Sequence, residues 1–141
     1  MDEFTLSLET SPRPEDAAVV ADGLRRAIAA ELGSDRPARP FSVFLRSADD
    51  AVLGGVNGRV AHGELHIDQI WCDESIRGRG HGSRLLARAE SFGREFGARA
   101  ALLNTVMPER VDYYGRRGYE LLGEVPGMAG GRPVYFLRKR L

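Results

Sequence analysis

The chain has 141 residues, of which 43% are hydrophobic, and it carries 20 basic and 20 acidic side chains. This length and composition exclude a disordered protein and predict one compact domain over residues 1–141. The zero formal net charge argues against nucleic-acid binders and membrane-surface binders, because both classes need an excess of basic residues.

The cysteine content and the N-terminus indicate a cellular compartment. Cys72 is the only cysteine, so no internal disulfide can form, which fits a reducing environment. The N-terminal stretch MDEFTLSLET lacks the basic and apolar regions of a signal peptide. No apolar run approaches the roughly 18 residues that a membrane-spanning helix needs. We therefore predict a cytoplasmic protein with no membrane partner and no nucleic-acid partner.

The first predicted helix follows from residue spacing. Apolar side chains recur at helical intervals from Val20 to Leu32, with Pro14 near the start and Gly33 just past the end, as helix termini favour. A short strand is predicted before it at 4–9, where apolar and polar residues alternate. A hairpin is predicted after it, with strands at 41–47 and 51–60.

The second half of the chain alternates strands with helices. A long strand at 64–73 precedes a helix whose apolar face includes Leu85 and which ends at Gly97. Further strands are predicted at 98–106, 119–125 and 133–141, with a short helix at 108–117. Helices that connect strands in this way indicate an α/β fold (α+β in some schemes), with a mixed sheet covered on both faces.

The turn between the long strand and the second helix, IRGRGHGSRLL at 76–86, has the composition of a phosphate site. The first turn of a helix leaves backbone N–H groups unpaired, and the helix dipole adds partial positive charge there. Glycines let the backbone approach a phosphate closely, Arg77 and Arg79 add charge, and Ser83 can donate from its hydroxyl. A Walker loop is disfavoured because the turn has no lysine, and the dinucleotide fingerprint fails because the glycines are spaced two apart.

A more specific match is the pattern Arg-x-x-Gly-x-Gly, formed by Arg77, Gly80 and Gly82. Together with the surrounding block at 65–103 and the downstream segment DYYGRRGYELLG, this pattern resembles the GNAT superfamily of acetyl-CoA-dependent N-acetyltransferases. The resemblance extends from Phe41 to the C-terminus and is weaker before it. It implies a GNAT-like single domain whose mostly antiparallel sheet has about six or seven strands, with a splay between the fourth and fifth.

The resemblance also implies which residues hold acetyl-CoA, the expected cosubstrate, with no metal required. Backbone N–H groups of the turn bind the pyrophosphate, which assigns Arg77, Gly78, Arg79, Gly80, His81, Gly82 and Ser83. The pantetheine arm pairs with the open edge of the splayed strand, which assigns Ile70, Trp71 and Cys72. The general acid falls on Tyr114, with Tyr113 as its competitor. Asn104, at the end of the fifth predicted strand, is a further predicted polar contact, in a register that differs from that of the family's asparagine.

The general base is chosen from the long strand. Side chains in a strand alternate, so one face is predicted to carry Glu64, His66, Asp68, Ile70 and Cys72, and the other Leu65, Ile67 and Trp71. Asp68 lies nearest to the pantetheine edge and is the first candidate, ahead of His66, Glu64 or a bound water; its competing role is a structural hydrogen bond. The carboxylates and the histidine span roughly 13 Å of strand, too far for one metal ion to contact all three.

The predicted reaction is direct transfer of acetyl from acetyl-CoA to a primary amine. The acceptor is open between a small metabolite, an amine-bearing antibiotic and a peptide N-terminus, and homodimers are common in the family. Two other functions compete: a non-catalytic sensor of CoA or acyl-CoA on the same fold, and a nucleotide-phosphate binder. The sequence departs from the family at Met107, where many members have asparagine, and before Phe41, where one helix replaces the usual two.

Overall fold

A computed structural model describes residues 3–34 and 36–141, and the chain divides into two compact units, Met1–Arg36 and Pro37–Leu141. The first unit contains helix α1, Pro14–Leu32. Gly33 ends the helix in the left-handed conformation (φ 67°) and donates its N–H to the Ala29 carbonyl, as glycine at this position commonly does. The predicted first helix is confirmed at both ends.

The strand predicted at 4–9 is wrong, because these residues form neither helix nor strand. Phe4, Leu6 and Leu8 are 84%, 104% and 95% exposed, so their alternation does not reflect a buried face. A strand is stabilised by a ladder partner and by burial of one face, and alternation in the sequence supplies neither.

The second unit contains a sheet and two helices. Its described strands are β1 (Arg39–Arg46), β2 (Val52–Ala61), β3 (Glu64–Cys72), β4 (Ala100–Thr105), β5 (Glu120–Val125) and β6 (Val134–Arg140). The helices are α2 (His81–Glu95) and α3 (Pro108–Gly115). The strand order is β1-β2-β3-β4-β6-β5, with β3 and β4 parallel and the other neighbours antiparallel. The predicted α/β class is confirmed, with six strands among the described residues.

The hydrophobic core of the second unit is formed by the sheet with α2 and α3. Leu65 of β3, Leu86 of α2 and Leu137 of β6 are each at most 2% exposed, and full burial of such a side chain contributes about 1.5–3 kcal/mol. Gly93 lets α2 approach the sheet closely, since a Cβ at that position would lie 3.2 Å from the Cβ of Leu65. This packing fixes the direction of α2 relative to the end of β3.

A bulge in β3 overturns the predicted alternation of its side chains. Asn57 of β2 is opposite Gln69, but the next residue, Gly58, is opposite Ile67, so Asp68 is an extra residue in the ladder. An extra residue reverses which side chains face the core beyond it. Ile70 and Cys72 therefore pack against the core instead of sharing a face with His66.

The same bulge moves Trp71 out of the core. Its side chain is 53% exposed, on the face of the sheet that faces away from the core cluster and also carries Gln69. On this outer face Ser42 donates to Asn57, and Asn57 donates to Gln69, at 2.7 Å and 2.9 Å. The prediction that Trp71 shares the apolar face with Leu65 and Ile67 is wrong.

Glu90 of α2 is a buried charged residue with two partners from other elements. Its carboxylate, on a side chain only 6% exposed, accepts hydrogen bonds from the Tyr119 hydroxyl at 2.8 Å and from Lys139 Nζ at 2.9 Å. Burial, followed by the Glu90 carboxylate, raises the pKa of Tyr119, which keeps this hydroxyl a donor. Glu90 thus connects α2 to Lys139 of β6 and to Tyr119, the residue that directly precedes β5.

We expect Glu90→Ala to lower the free energy of unfolding by about 2–4 kcal/mol, because it leaves Lys139 and Tyr119 without their acceptor. Urea unfolding followed by circular dichroism measures the change. Glu95→Ala is the matched control, since Glu95 lies on the same helix and is exposed. Equal stability of the two variants would contradict this account of Glu90.

Candidate active site

A fork in the sheet opens between β3 and β4. The two strands pair only from Glu64 with Ala100 to His66 with Leu102. Beyond that point, Ile67–Cys72 has β2 on one side and no described strand on the other. The fork is the predicted splay; it lies between the third and fourth strands because the segment at 4–9 forms none. It leaves backbone donors and acceptors of β3 available to an extended ligand.

The glycine turn joins the open end of β3 to α2. Gly78 and Gly80 have φ values of 77° and 81°, in the left-handed region that favours glycine. Helix α2 begins at His81 with no side-chain cap, and its first intrahelical bond runs from the Arg84 N–H to the Gly80 carbonyl. The N–H groups of the first turn therefore point outward from the end of a helix, as an anion site requires.

Arginine side chains at the turn have different surroundings. Arg77 folds back onto β3, where its Nε donates to the Cys72 carbonyl at 2.9 Å. Arg79 is exposed. The Arg84 guanidinium lies 3.3 Å from His81 Nδ1. Cationic groups thus surround the uncapped first turn of α2, whose first-turn residues include no acidic side chain.

Helix α3 and the segment just after it each contribute one residue next to the same turn. Arg117, just after α3, donates from Nε to Ser83 Oγ at 2.8 Å. The Tyr113 hydroxyl lies 3.4 Å from the same Ser83 oxygen, and a Cβ on Gly82 would come within 3.0 Å of it. Sequence reasoning missed Arg117; the available signal was its i, i+4 spacing from Tyr113.

Tyr114 lies in the core cluster, with 5% of its surface exposed. Its ring makes edge-to-face contacts with Tyr113 and Tyr119, with ring centres 5.2 Å and 5.8 Å apart. The Tyr114 hydroxyl has no hydrogen-bond partner among the described residues. Because every fully buried side-chain nitrogen or oxygen among them has one, this oxygen reaches the protein surface. Burial raises the pKa of Tyr114, which keeps the hydroxyl protonated near neutral pH.

Three titratable side chains of β3 lie on the outer face of the sheet. Asp68, in the bulge, accepts a hydrogen bond from Arg59 Nη1 at 2.6 Å. His66 lies at the fork, with Nε2 3.4 Å from Glu64 Oε2. Burial, and next the charge of Arg59, lower the pKa of His66 below its ordinary value of 6.5. His66 is therefore mainly neutral at pH 7, with a ring nitrogen able to accept a proton.

Comparison with known proteins identifies the family. Residues 5–119 match the family model described as the acetyltransferase (GNAT) family. The chain belongs to the GNAT family of acetyltransferases. It is therefore an acyltransferase, and enzymes of this family use acetyl-CoA.

Individual relatives agree with this assignment. The GNAT acetyltransferase is 35% identical over 107 residues to blasticidin-S acetyltransferase of Streptomyces morookaense, covering 75% of this chain and 79% of that protein. It is 31% identical over 102 residues to an acetyltransferase of Agrobacterium fabrum, covering 72% and 74% of the two chains. A crystal structure assigned as an acetyltransferase from Agrobacterium tumefaciens aligns with a TM-score of 0.86 at 28% identity, covering 98% of this chain and 100% of that one.

The remaining predicted site residues of the acetyltransferase lie on both strands of the fork. Ile70, Trp71 and Cys72 form the open end of β3, and Asn104 lies on β4 beyond its last pair with β3. Asn104 is exposed and opposite Phe136 of β6. Among the described residues, no three His, Cys, Asp or Glu side chains are grouped to hold one metal ion. None of the described helices has the length and apolarity that a bilayer crossing requires.

One cavity lies beside α2 and another beside α3. One of about 240 Å³ lies beside the glycine turn and is lined by Ser83, Leu86, Ala87, Glu90, Arg117 and Lys139. The other, of about 440 Å³, is lined by α3, β5 and β6 residues such as Val111 and Leu121 and includes no residue of the turn. The smaller cavity is lined by the cationic side chains of Arg117 and Lys139 and lies next to the glycine turn.

Proposed function

We propose that this acetyltransferase transfers the acetyl group of acetyl-CoA to a primary amine by direct attack, without an acyl-enzyme. The main support for the proposal is that three features follow one another along one segment of the chain. These are the fork after His66, the open strand edge up to Cys72, and the uncapped start of α2 at His81. An extended thioester ending in a pyrophosphate matches this order of an open strand edge followed by an anion site.

Coenzyme binding is assigned to the backbone of two segments. The N–H groups from Gly78 to Ser83 receive the pyrophosphate, since Gly78 and Gly80 give this turn its left-handed conformation. The backbone N–H of Arg77 instead donates to the Glu74 carbonyl at 3.4 Å. The pantetheine amides pair with the open edge at Ile70–Cys72 in the manner of an added strand. Ile70 and Cys72 supply the backbone groups of this edge, because the Trp71 carbonyl lies toward β2, 3.0 Å from a Cβ placed on Gly54. The Trp71 ring is exposed on the outer face.

The reaction needs a general base, a hydrogen-bond donor to the oxyanion, and a general acid. The amine nitrogen forms a bond to the thioester carbonyl carbon, and its proton passes to the base. A backbone N–H of β3 at Ile70 or Cys72 stabilises the oxyanion. The C–S bond then breaks, and the thiolate takes the proton of the Tyr114 hydroxyl, which burial keeps protonated.

The surroundings of His66 suit a general base better than those of Asp68. Both lie on the outer face of β3, but the Asp68 carboxylate is engaged by Arg59 at 2.6 Å. His66 lies at the fork itself and is mainly neutral at pH 7. Tyr114 belongs to the core on the other face, so this assignment puts the base and the acid on opposite faces of the sheet, with the thioester in the gap between β3 and β4.

The proposed acceptor is a small amine-bearing molecule that approaches the outer face of β3. One relative is named for its action on blasticidin S, which supports a small-molecule acceptor here. The outer face offers an exposed Trp71 ring for stacking and the polar side chains of Asn57 and Gln69 for hydrogen bonds. Neutral overall charge gives no support to a nucleic acid or a polycation as acceptor.

We expect Gly80→Ala to weaken acetyl-CoA binding about tenfold, because a left-handed conformation costs a residue with a Cβ about 1–2 kcal/mol and the turn will relax away from it. Isothermal titration calorimetry measures the dissociation constant. Gly97→Ala is the matched control, since Gly97 has φ 82° at the other end of α2 and, like Gly80, has nothing within 4 Å of the added Cβ. A similar loss of affinity in both variants would count against the turn as the pyrophosphate site.

The function is tested by measuring CoA release from acetyl-CoA with a panel of small amines, blasticidin S among them, and identifying the acetylated product by mass spectrometry. We expect amine-dependent release of CoA with one acetyl group added to the amine. Binding of acetyl-CoA without turnover on any amine would favour the non-catalytic sensor. Stabilisation by ATP equal to that by acetyl-CoA in a thermal-shift assay would favour the nucleotide binder.

A further inference from the structure

Arg117 is held in a fixed orientation between α3 and the first turn of α2. Besides its bond to Ser83, it donates from Nη1 to the Tyr113 carbonyl at 2.8 Å. Its guanidinium lies 3.6 Å from the centre of the Tyr113 ring, a close cation–π contact. These contacts leave the guanidinium half-buried with further N–H donors beside the glycine turn.

The contact with Arg117 determines what the Ser83 hydroxyl can do. A hydroxyl has one proton to donate, and arginine can only donate. Because Arg117 Nε donates to Ser83 Oγ at 2.8 Å, the Ser83 proton must point to another acceptor. The Tyr113 hydroxyl is 3.4 Å away, a long distance for an O–H···O bond. Among the described residues, the Ser83 proton thus has only this weak partner.

We propose that Arg117 is a positioning residue for the pyrophosphate of acetyl-CoA, acting through Ser83. By occupying the serine oxygen as an acceptor, it leaves the hydroxyl proton to bond a phosphate oxygen, and its charge strengthens that bond. The inference rests on the proposed function, because it assumes that the turn binds this pyrophosphate. Lysine cannot replace Arg117 fully, since it lacks the planar fork that reaches Ser83 and the Tyr113 carbonyl together.

Kinetics with two acetyl donors test this role. S-acetylpantetheine has the thioester of acetyl-CoA but lacks the pyrophosphate. We expect Arg117→Gln to raise the KM for acetyl-CoA about tenfold, the effect of one charge-assisted hydrogen bond. We expect kcat, and all constants with S-acetylpantetheine, to stay at wild-type values. Arg116→Gln removes the same charge from the adjacent exposed residue and is expected to leave both donors unaffected.

A double-mutant cycle tests the route through Ser83. We expect Ser83→Ala to raise the KM for acetyl-CoA, and Arg117→Gln to add little in that background. If the increases in KM caused by the two substitutions multiply in the double variant, the route through Ser83 is overturned. If Arg117→Gln loses the same activity with acetyl-CoA and with S-acetylpantetheine, the role of Arg117 is merely structural. If Arg117→Gln fails to fold by circular dichroism, Arg117→Lys takes its place, with a smaller increase in KM expected.

Failure of this inference is distinguishable from failure of the proposed function. A wild-type protein that releases no CoA with any amine and does not bind acetyl-CoA contradicts the proposed function itself. A wild-type protein that binds acetyl-CoA normally, with Arg117→Gln binding it equally well, contradicts only the role of Arg117.

Discussion

Tyr114→Phe is expected to lower kcat about 100-fold, the usual effect of losing a general acid, while the dissociation constant for acetyl-CoA stays at the wild-type value. The ring packs in the core against Tyr113 and Tyr119, and phenylalanine preserves that packing. Only the hydroxyl is lost. Since the Tyr114 hydroxyl has no protein partner in the described residues, its removal leaves no buried polar group unpaired, so stability should change little.

Tyr113→Phe is the matched control, because the two tyrosines are adjacent on α3 but face different surroundings. The Tyr113 hydroxyl lies near Ser83 and Gly82, so its loss should affect the KM for acetyl-CoA more than kcat. Steady-state kinetics at saturating amine separates the two constants. Wild-type kcat in Tyr114→Phe, or a larger loss of kcat in Tyr113→Phe, would remove Tyr114 from the acid role.

His66→Gln is expected to lower kcat about 100-fold and to abolish the acid limb of the pH profile. A base acts in its deprotonated form, so kcat at saturating amine should fall as the pH drops through the pKa of His66. Burial and Arg59 place that pKa below 6.5, so the fall should occur on the acid side of histidine's ordinary value.

Asp68→Asn distinguishes the two candidate bases. The Asp68 carboxylate raises the pKa of His66, so removing its charge should move the acid limb to lower pH and leave the plateau of kcat unchanged. If Asp68 is the base instead, the plateau should collapse in Asp68→Asn and persist in His66→Gln. The profiles are measured from CoA release across the pH range, with circular dichroism confirming that each variant stays folded.

Features governed by local rules could be predicted from the sequence. Helix α1 begins with Pro14 and ends at Gly33, because each terminus depends on neighbouring residues alone. The glycine turn was predicted for the same reason: its positive φ values and uncapped helix start follow from residues 78–81. The order of strands and helices after Phe41 then sufficed for the fold class.

Features that depend on pairing between distant segments could not be predicted. At the bulge, the neighbouring residues Asn57 and Gly58 of β2 lie opposite Gln69 and Ile67 of β3, so Asp68 has no partner. No local sequence pattern encodes this register. That one residue turned Ile70 and Cys72 to the core and Trp71 to the outer face. The contacts of Arg117 with Ser83 and of Glu90 with Lys139 likewise join residues 34 and 49 positions apart.

The most direct test of the central claim is a crystal structure of the protein with bound acetyl-CoA. We predict that the pyrophosphate oxygens will lie within hydrogen-bond distance of backbone N–H groups between Gly78 and Ser83, with the thioester in the gap between β3 and β4. A pyrophosphate bound elsewhere, for example in the cavity between α3 and β5, or a pantetheine arm that does not enter the gap, would contradict the account.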